Sequence, residues 1–209
     1  MRKGEKDSIF SEKDLFFLRD TDFLKTKKVI THKVEGLLLD TQKHLRPFVK
    51  TTSSELAENL LVRSGKISRG ENYMDLPYQV LDYPRLFSKE SIFTYRSMFW
   101  WGNFFSCTLH IQGAILNKFR NTLASSLSGA DLPDSFFCIN SSPWDYHYQP
   151  SNYIKLANIA DEDLKRHIRE RDFVKISRKL PLEQHNLLPQ FALDTIQSYY
   201  GLLISSSSV

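Results

Sequence analysis

The stretch Ser91–Ile111 constrains the fold of this chain more than any other, because two aromatic and β-branched runs meet at Trp101-Gly102-Asn103-Phe104. Such runs favour strands, and a two-residue loop with Gly first suits a type II′ hairpin turn. Counting outward from Gly102 and Asn103 pairs Trp101 with Phe104, Trp100 with Phe105 and Tyr95 with His110. Alternation then separates two faces. One carries Ile92, Thr94, Met98, Trp100, Phe105, Cys107, Leu109 and Ile111 around a single charge, Arg96, and is the expected core face. The other carries Tyr95, Ser97, Phe99, Trp101, Phe104, Ser106, Thr108 and His110, and is the expected ligand- or partner-facing surface. An ordinary sheet face covered by a helix or by solvent has a similar composition. The assignment hangs on the turn, since a shift of one residue exchanges the faces.

Patterns on either side predict the elements around this hairpin. Ser11 followed by Asp14 reads as a capped helix over 11–19. Phe23, Ile30, Val34, Leu37, Leu38, Thr41 and Leu45 recur at helical spacing, predicting a helix over about 22–46 that Pro47 ends. A third helix is expected from Ser53 or Ser54 through Arg63, with Gly65 closing it. Strands are expected at 76–83, 135–140 and 173–180, and helices at about 114–127, 161–171 and 182–203, before a frayed tail at 204–209. The expected class is α+β: one antiparallel meander packed against N-terminal, middle and C-terminal helices, within a single domain over residues 1–209.

Charge narrows the function classes. With 28 Lys+Arg against 24 Asp+Glu the chain is mildly basic, and the signs are interspersed rather than gathered on one face. Residues 1–50 hold 12 basic and 8 acidic side chains, whereas 101–154 hold only Lys118 and Arg120 against Asp131, Asp134 and Asp145. An aromatic, charge-poor centre therefore lies between charged helical ends, and a pocket is expected at the centre. The run Lys165–Arg171 is interleaved with acids and reads as a solvated helix face. Asp82 and Arg85, three apart at a proline-marked turn, are expected to form a local ion pair. Cys107 and Cys138 sit in apolar runs and are expected to be reduced and buried. The charged N-terminus leads into no apolar run, and no stretch approaches the roughly 20 apolar residues that span a bilayer. The expected compartment is the cytoplasm, with no membrane partner.

The loop Ser141–Pro150 is dense in rings and polar heads, including Trp144, Asp145 and His147. Asp145 and His147 together suit an orienting carboxylate and a general base, or two metal ligands with His110. Metal sites need three or four converging ligands, so no metal and no cofactor are assigned. The sequence contains no P-loop, no Rossmann fingerprint, no nucleophile elbow and no His-Glu-x-x-His. The leading expectation is a binding or interaction protein. Its aromatic groove, for a small molecule or partner peptide, is built from Tyr95, Ser97, Phe99, Trp101, Phe104, Thr108, His110, Trp144, Asp145 and His147. One alternative is a hydrolase or transferase using His110 or His147 with Asp145, Tyr95 and Arg96 in support. Another is a weak nucleic-acid binder, and a homodimer is also open.

Overall fold

The computed structural model describes residues 8–56, 65–132 and 134–204. Seven strands form one antiparallel sheet in the order β1-β2-β3-β4-β7-β5-β6. They are β1 Lys66–Tyr73, β2 Leu76–Phe87, β3 Ser91–Trp100, β4 Phe104–Gly113, β5 Phe136–Cys138, β6 Tyr153–Lys155 and β7 Phe173–Pro181. Five α-helices accompany them: α1 Glu12–Arg19, α2 Thr21–Leu56, α3 Ala114–Leu127, α4 Asp161–Glu170 and α5 Leu188–Gly201. This is the α+β class expected from the sequence.

One sheet face is the main core. Phe93, Tyr95, Phe99, Phe105, Leu109 and Ile111 pack there against α2, α3 and α5. Helix α2 contributes Val34, Leu38, Thr41, Leu45 and Val49, a stripe at helical spacing that is buried along its length. It does not stop at Pro47 as expected. The proline lies on the exposed side of the helix, where it forfeits its own backbone donor. Val49 is fully buried one position beyond Phe48, whose ring meets Tyr200 at 5.5 Å. That packing offsets the roughly 3 kcal/mol cost of an interior proline. Ser53 and Ser54 therefore continue α2 instead of capping a new helix, and residues 57–64 of the expected third helix lie outside the described residues.

Two further boundaries differ from expectation for local reasons. Strand β1, not anticipated, is joined to β2 by Met74 and Asp75, both at positive φ of 49° and 63°. That is primed-turn geometry without the usual Asn or Gly. The C-terminal segment begins as a 3-10 helix, Leu182–Leu187, and becomes α-helical at α5, with Pro189 in its first turn.

The hairpin register is one residue away from the expected one. Trp100 pairs with Phe104, so the loop is Trp101-Gly102-Asn103, with Gly102 at φ 71°. Trp101 donates its backbone N–H to Pro77 O of β2 at 3.0 Å and so stays out of the β3–β4 ladder. The shift exchanges the partners of β4. Phe105, Cys107, Leu109 and Ile111 join Phe93, Tyr95, Ser97 and Phe99 on the helix-covered face. Phe104, Ser106, Thr108 and His110 join Thr94, Arg96, Met98 and Trp100 on the opposite face. At the other end of β4, Gly113 (φ 72°) is sterically required, because a Cβ there would lie 2.1 Å from Glu90 O.

Candidate ligand-binding site

The residues singled out in the sequence divide between three places. Tyr95 and Ser97 belong to the core: the Tyr95 hydroxyl donates to Ala192 O at 2.7 Å, and Ser97 lies against Cys107 Sγ. Phe104, Thr108 and His110 lie on the opposite face, under the segment that carries Trp144, Asp145 and His147. Phe99 and Trp101 meet edge-on, 5.8 Å apart, at the end of the hairpin beside α2.

The face under the 139–152 segment is polar and sealed. Arg96 grips Asp82 with two parallel hydrogen bonds of 2.8 Å, Nε to Oδ1 and Nη2 to Oδ2. Thr94 Oγ1 adds a third to Asp82, and Arg96 Nη1 donates to the Tyr146 hydroxyl at 2.7 Å. Asp82 therefore pairs across the β2–β3 ladder and not with Arg85, because a bulge between Asp82 and Arg85 breaks the local register. Next along, Lys175 is 0% exposed; its Nζ donates to Pro143 O at 2.9 Å and Asp145 O at 2.6 Å, and sits 4.2 Å from the Tyr146 ring centre. Burial brings its pKa down to about 8. Thr108 and Ser177 share a hydrogen bond of 2.6 Å, and the Tyr148 hydroxyl closes on Ser177 as well.

His110 is fully buried between the rings of Trp144 and Phe173. Its Nε2 donates to Gln112 Oε1 at 3.2 Å, leaving Nδ1 buried with no partner among the described residues. Burial, and then the charges of Lys175 and Arg96, push its pKa down to about 3. A proton carrier must reach a substrate and titrate near the working pH. His110, 0% exposed, presents no ring atom to solvent in this arrangement. The Asp145 carboxylate accepts from Asn140 Nδ2 at 2.8 Å, and His147 Nδ1 accepts from the Gln149 N–H at 3.3 Å. Among the described residues no hydrogen bond joins Asp145 to His147. No group of three or more metal-ligating side chains converges among them either. The sealed face acts as a polar second core that fastens the 139–152 segment to the sheet.

The open site is elsewhere. A groove of about 510 Å³ runs between α2 and the hairpin end, with the Leu182–Leu187 segment as its far wall. Ile30, Val34 and Leu37 form one side, Phe99, Trp101 and Phe105 the floor, and Leu182 the end. Among the described residues Lys33 and His185, both exposed, are its only ionisable lining groups. A second cleft of about 490 Å³ at the outer edge of β7 is lined by charges of both signs, Lys155, Arg178 and Lys179 with Asp134 and Asp194. Of these two, the first combines an apolar interior with a few polar groups, the usual composition of a small-molecule site.

No family model, curated protein or solved structure matches this chain.

The reading of the groove therefore rests on its own chemistry. Sequence reasoning identified Phe99 and Trp101 and placed Ile30, Val34 and Leu37 on the buried stripe of a helix. It had no signal for bringing these two sets together, because the contact joins residues about 65 positions apart through the tertiary fold. Lys175 was legible only as a charge inside the alternating run Phe173–Ser177. Among the described residues no helix is long and apolar enough to cross a membrane.

Proposed function

We propose that this protein binds a small apolar molecule carrying an anionic group, in the groove between α2 and the β3–β4 turn. The observation that carries this reading is the groove's lining: about 510 Å³ with an apolar floor and wall and, among the described residues, Lys33 and His185 as the only charged or titratable groups. Its volume falls within the roughly 300–1,000 Å³ of ligand sites. The aromatic floor supplies contact area, and the Lys33 ammonium at the rim favours a carboxylate or sulfonate head over a neutral one.

Decanoate is a probe of this chemistry. Titration followed by tryptophan fluorescence is expected to saturate with a Kd of about 10–100 µM, near 0.5 kcal/mol for each non-hydrogen atom. Trp101→Ala removes a half-buried ring from the floor and is expected to weaken binding about tenfold or more, with little change in the unfolding midpoint. Binding to Trp101→Ala is read by calorimetry, since the reporting indole is gone. Lys33→Gln is expected to reduce affinity about threefold for decanoate and not for decanol. Equal affinity of wild type and Trp101→Ala for decanoate would remove the groove from consideration.

A further inference from the structure

Among the described residues nothing covers the large apolar side chains of the N-terminal arm. Helix α1 buries no residue, and α2 has no buried residue before Val34. Yet the arm displays Phe10, Phe16, Phe17, Leu18, Phe23 and Leu24, each between 51% and 68% exposed. Its helices are stabilised locally rather than by the body. Ser11 Oγ accepts from the Asp14 N–H while Asp14 Oδ2 accepts from the Ser11 N–H, and Asp20 Oδ1 accepts from the Phe23 N–H at 2.9 Å. The apolar faces are therefore pre-formed. Between α1 and the start of α2 lies a cleft of about 530 Å³, lined mainly by Phe10, Phe17, Leu18, Phe23 and Leu24.

We propose that this arm is a homodimer interface, in which the α1–α2 arms of two copies pack against each other about a twofold axis. Two arguments select a second copy as the occupant. The first is area. Phe10, Phe17, Leu18, Phe23 and Leu24 line one cleft and at this exposure present on the order of 500–600 Å² per copy, close to the about 600 Å² per partner at which specific interfaces begin. Isolated surface apolar residues need no explanation, but a contiguous patch of this size marks an interaction site. The second is charge. Glu12, Asp14, Asp20 and Asp22 offset Lys13, Arg19, Lys25 and Lys28, while the fifth cation, Lys27, is held by Glu71 at 2.5 Å, so two arms meet without net repulsion. A helix that docks on an anionic bilayer carries a basic excess instead.

The test is the mass of the full chain in solution. Light scattering coupled to gel filtration, over a series reaching concentrations on the order of 100 µM, is expected to give twice the chain mass, falling towards one on dilution. The double variant Phe17→Glu/Leu24→Glu changes only exposed side chains. It is expected to run at the monomer mass throughout, with wild-type helical circular dichroism. A wild-type chain that stays monomeric across the series overturns the proposal, as does a double variant that keeps the doubled mass. A monomeric wild type that co-sediments with phosphatidylserine vesicles overturns it too, and assigns the arm to a bilayer.

Discussion

Asp82→Ala is expected to destabilise the protein by about 3–5 kcal/mol, the cost of leaving one member of a buried ion pair unpaired. Asp82 is 4% exposed and receives three hydrogen bonds, two from the Arg96 fork and one from Thr94. Without the carboxylate, the Arg96 guanidinium keeps, among the described residues, only the Tyr146 hydroxyl as a hydrogen-bond acceptor, in a setting closed by Trp100 and the 139–152 segment. The loss comes from the stranded charge more than from the pair's net contribution. Asp82→Leu combined with Arg96→Met is therefore expected to recover most of the stability, and the non-additivity reports the coupling. Urea unfolding of the two singles and the double measures it. A cost below about 1 kcal/mol for Asp82→Ala, as for an exposed pair such as Lys165–Glu162, would mean that water reaches the site.

Acid is expected to unfold this protein through His110 well before its carboxylates are all protonated. The folded-state pKa is about 3, against an ordinary value of 6.5 in the unfolded chain. Between those values the unfolded chain binds a proton that the folded chain refuses, so stability falls as pH falls. The contribution is fully intact above 6.5 and fully lost below about 3. Near pH 4.5 the loss is about 2–3 kcal/mol, from 1.36 kcal/mol per pKa unit. His110→Leu keeps an apolar group between Trp144 and Phe173 and abolishes the titration. Its unfolding free energy is expected to be flatter than wild type between about pH 7 and pH 4.5 by that amount. Superimposable pH profiles for the two proteins would show that the imidazole is solvated.

Much of the fold is legible in the residues because much of it is local. The capping box at Ser11, the helical stripe from Ile30 to Leu45 and the alternation of 173–180 each predict the element that forms. The two largest departures share one cause, a long-range contact overriding a local signal. The hairpin turn moved by one residue because the Trp101 N–H is taken by Pro77 of β2, and that displacement changed which side chains of β4 share a face with Tyr95. Pro47 did not end α2 because Phe48 and Val49 are packed. The candidate site shows the same division. Aromatic density pointed to Phe99 and Trp101, but the register shift carried His110, Thr108 and Phe104 to the opposite side of the sheet. Lys175, held by two carbonyl oxygens of a segment some 30 residues away, left almost no local trace.

The central claim is that the groove between α2 and the hairpin end is where ligand binds. Methyl-resolved NMR of the full chain, titrated with decanoate, tests it most directly. The expected result is saturable shifts at Ile30, Val34, Leu37 and Leu182, with Leu116 and Ile168, buried under α3 and α4, unmoved. Shifts confined to the outer edge of β7 or to the N-terminal arm, or no saturable shift at all, would contradict it.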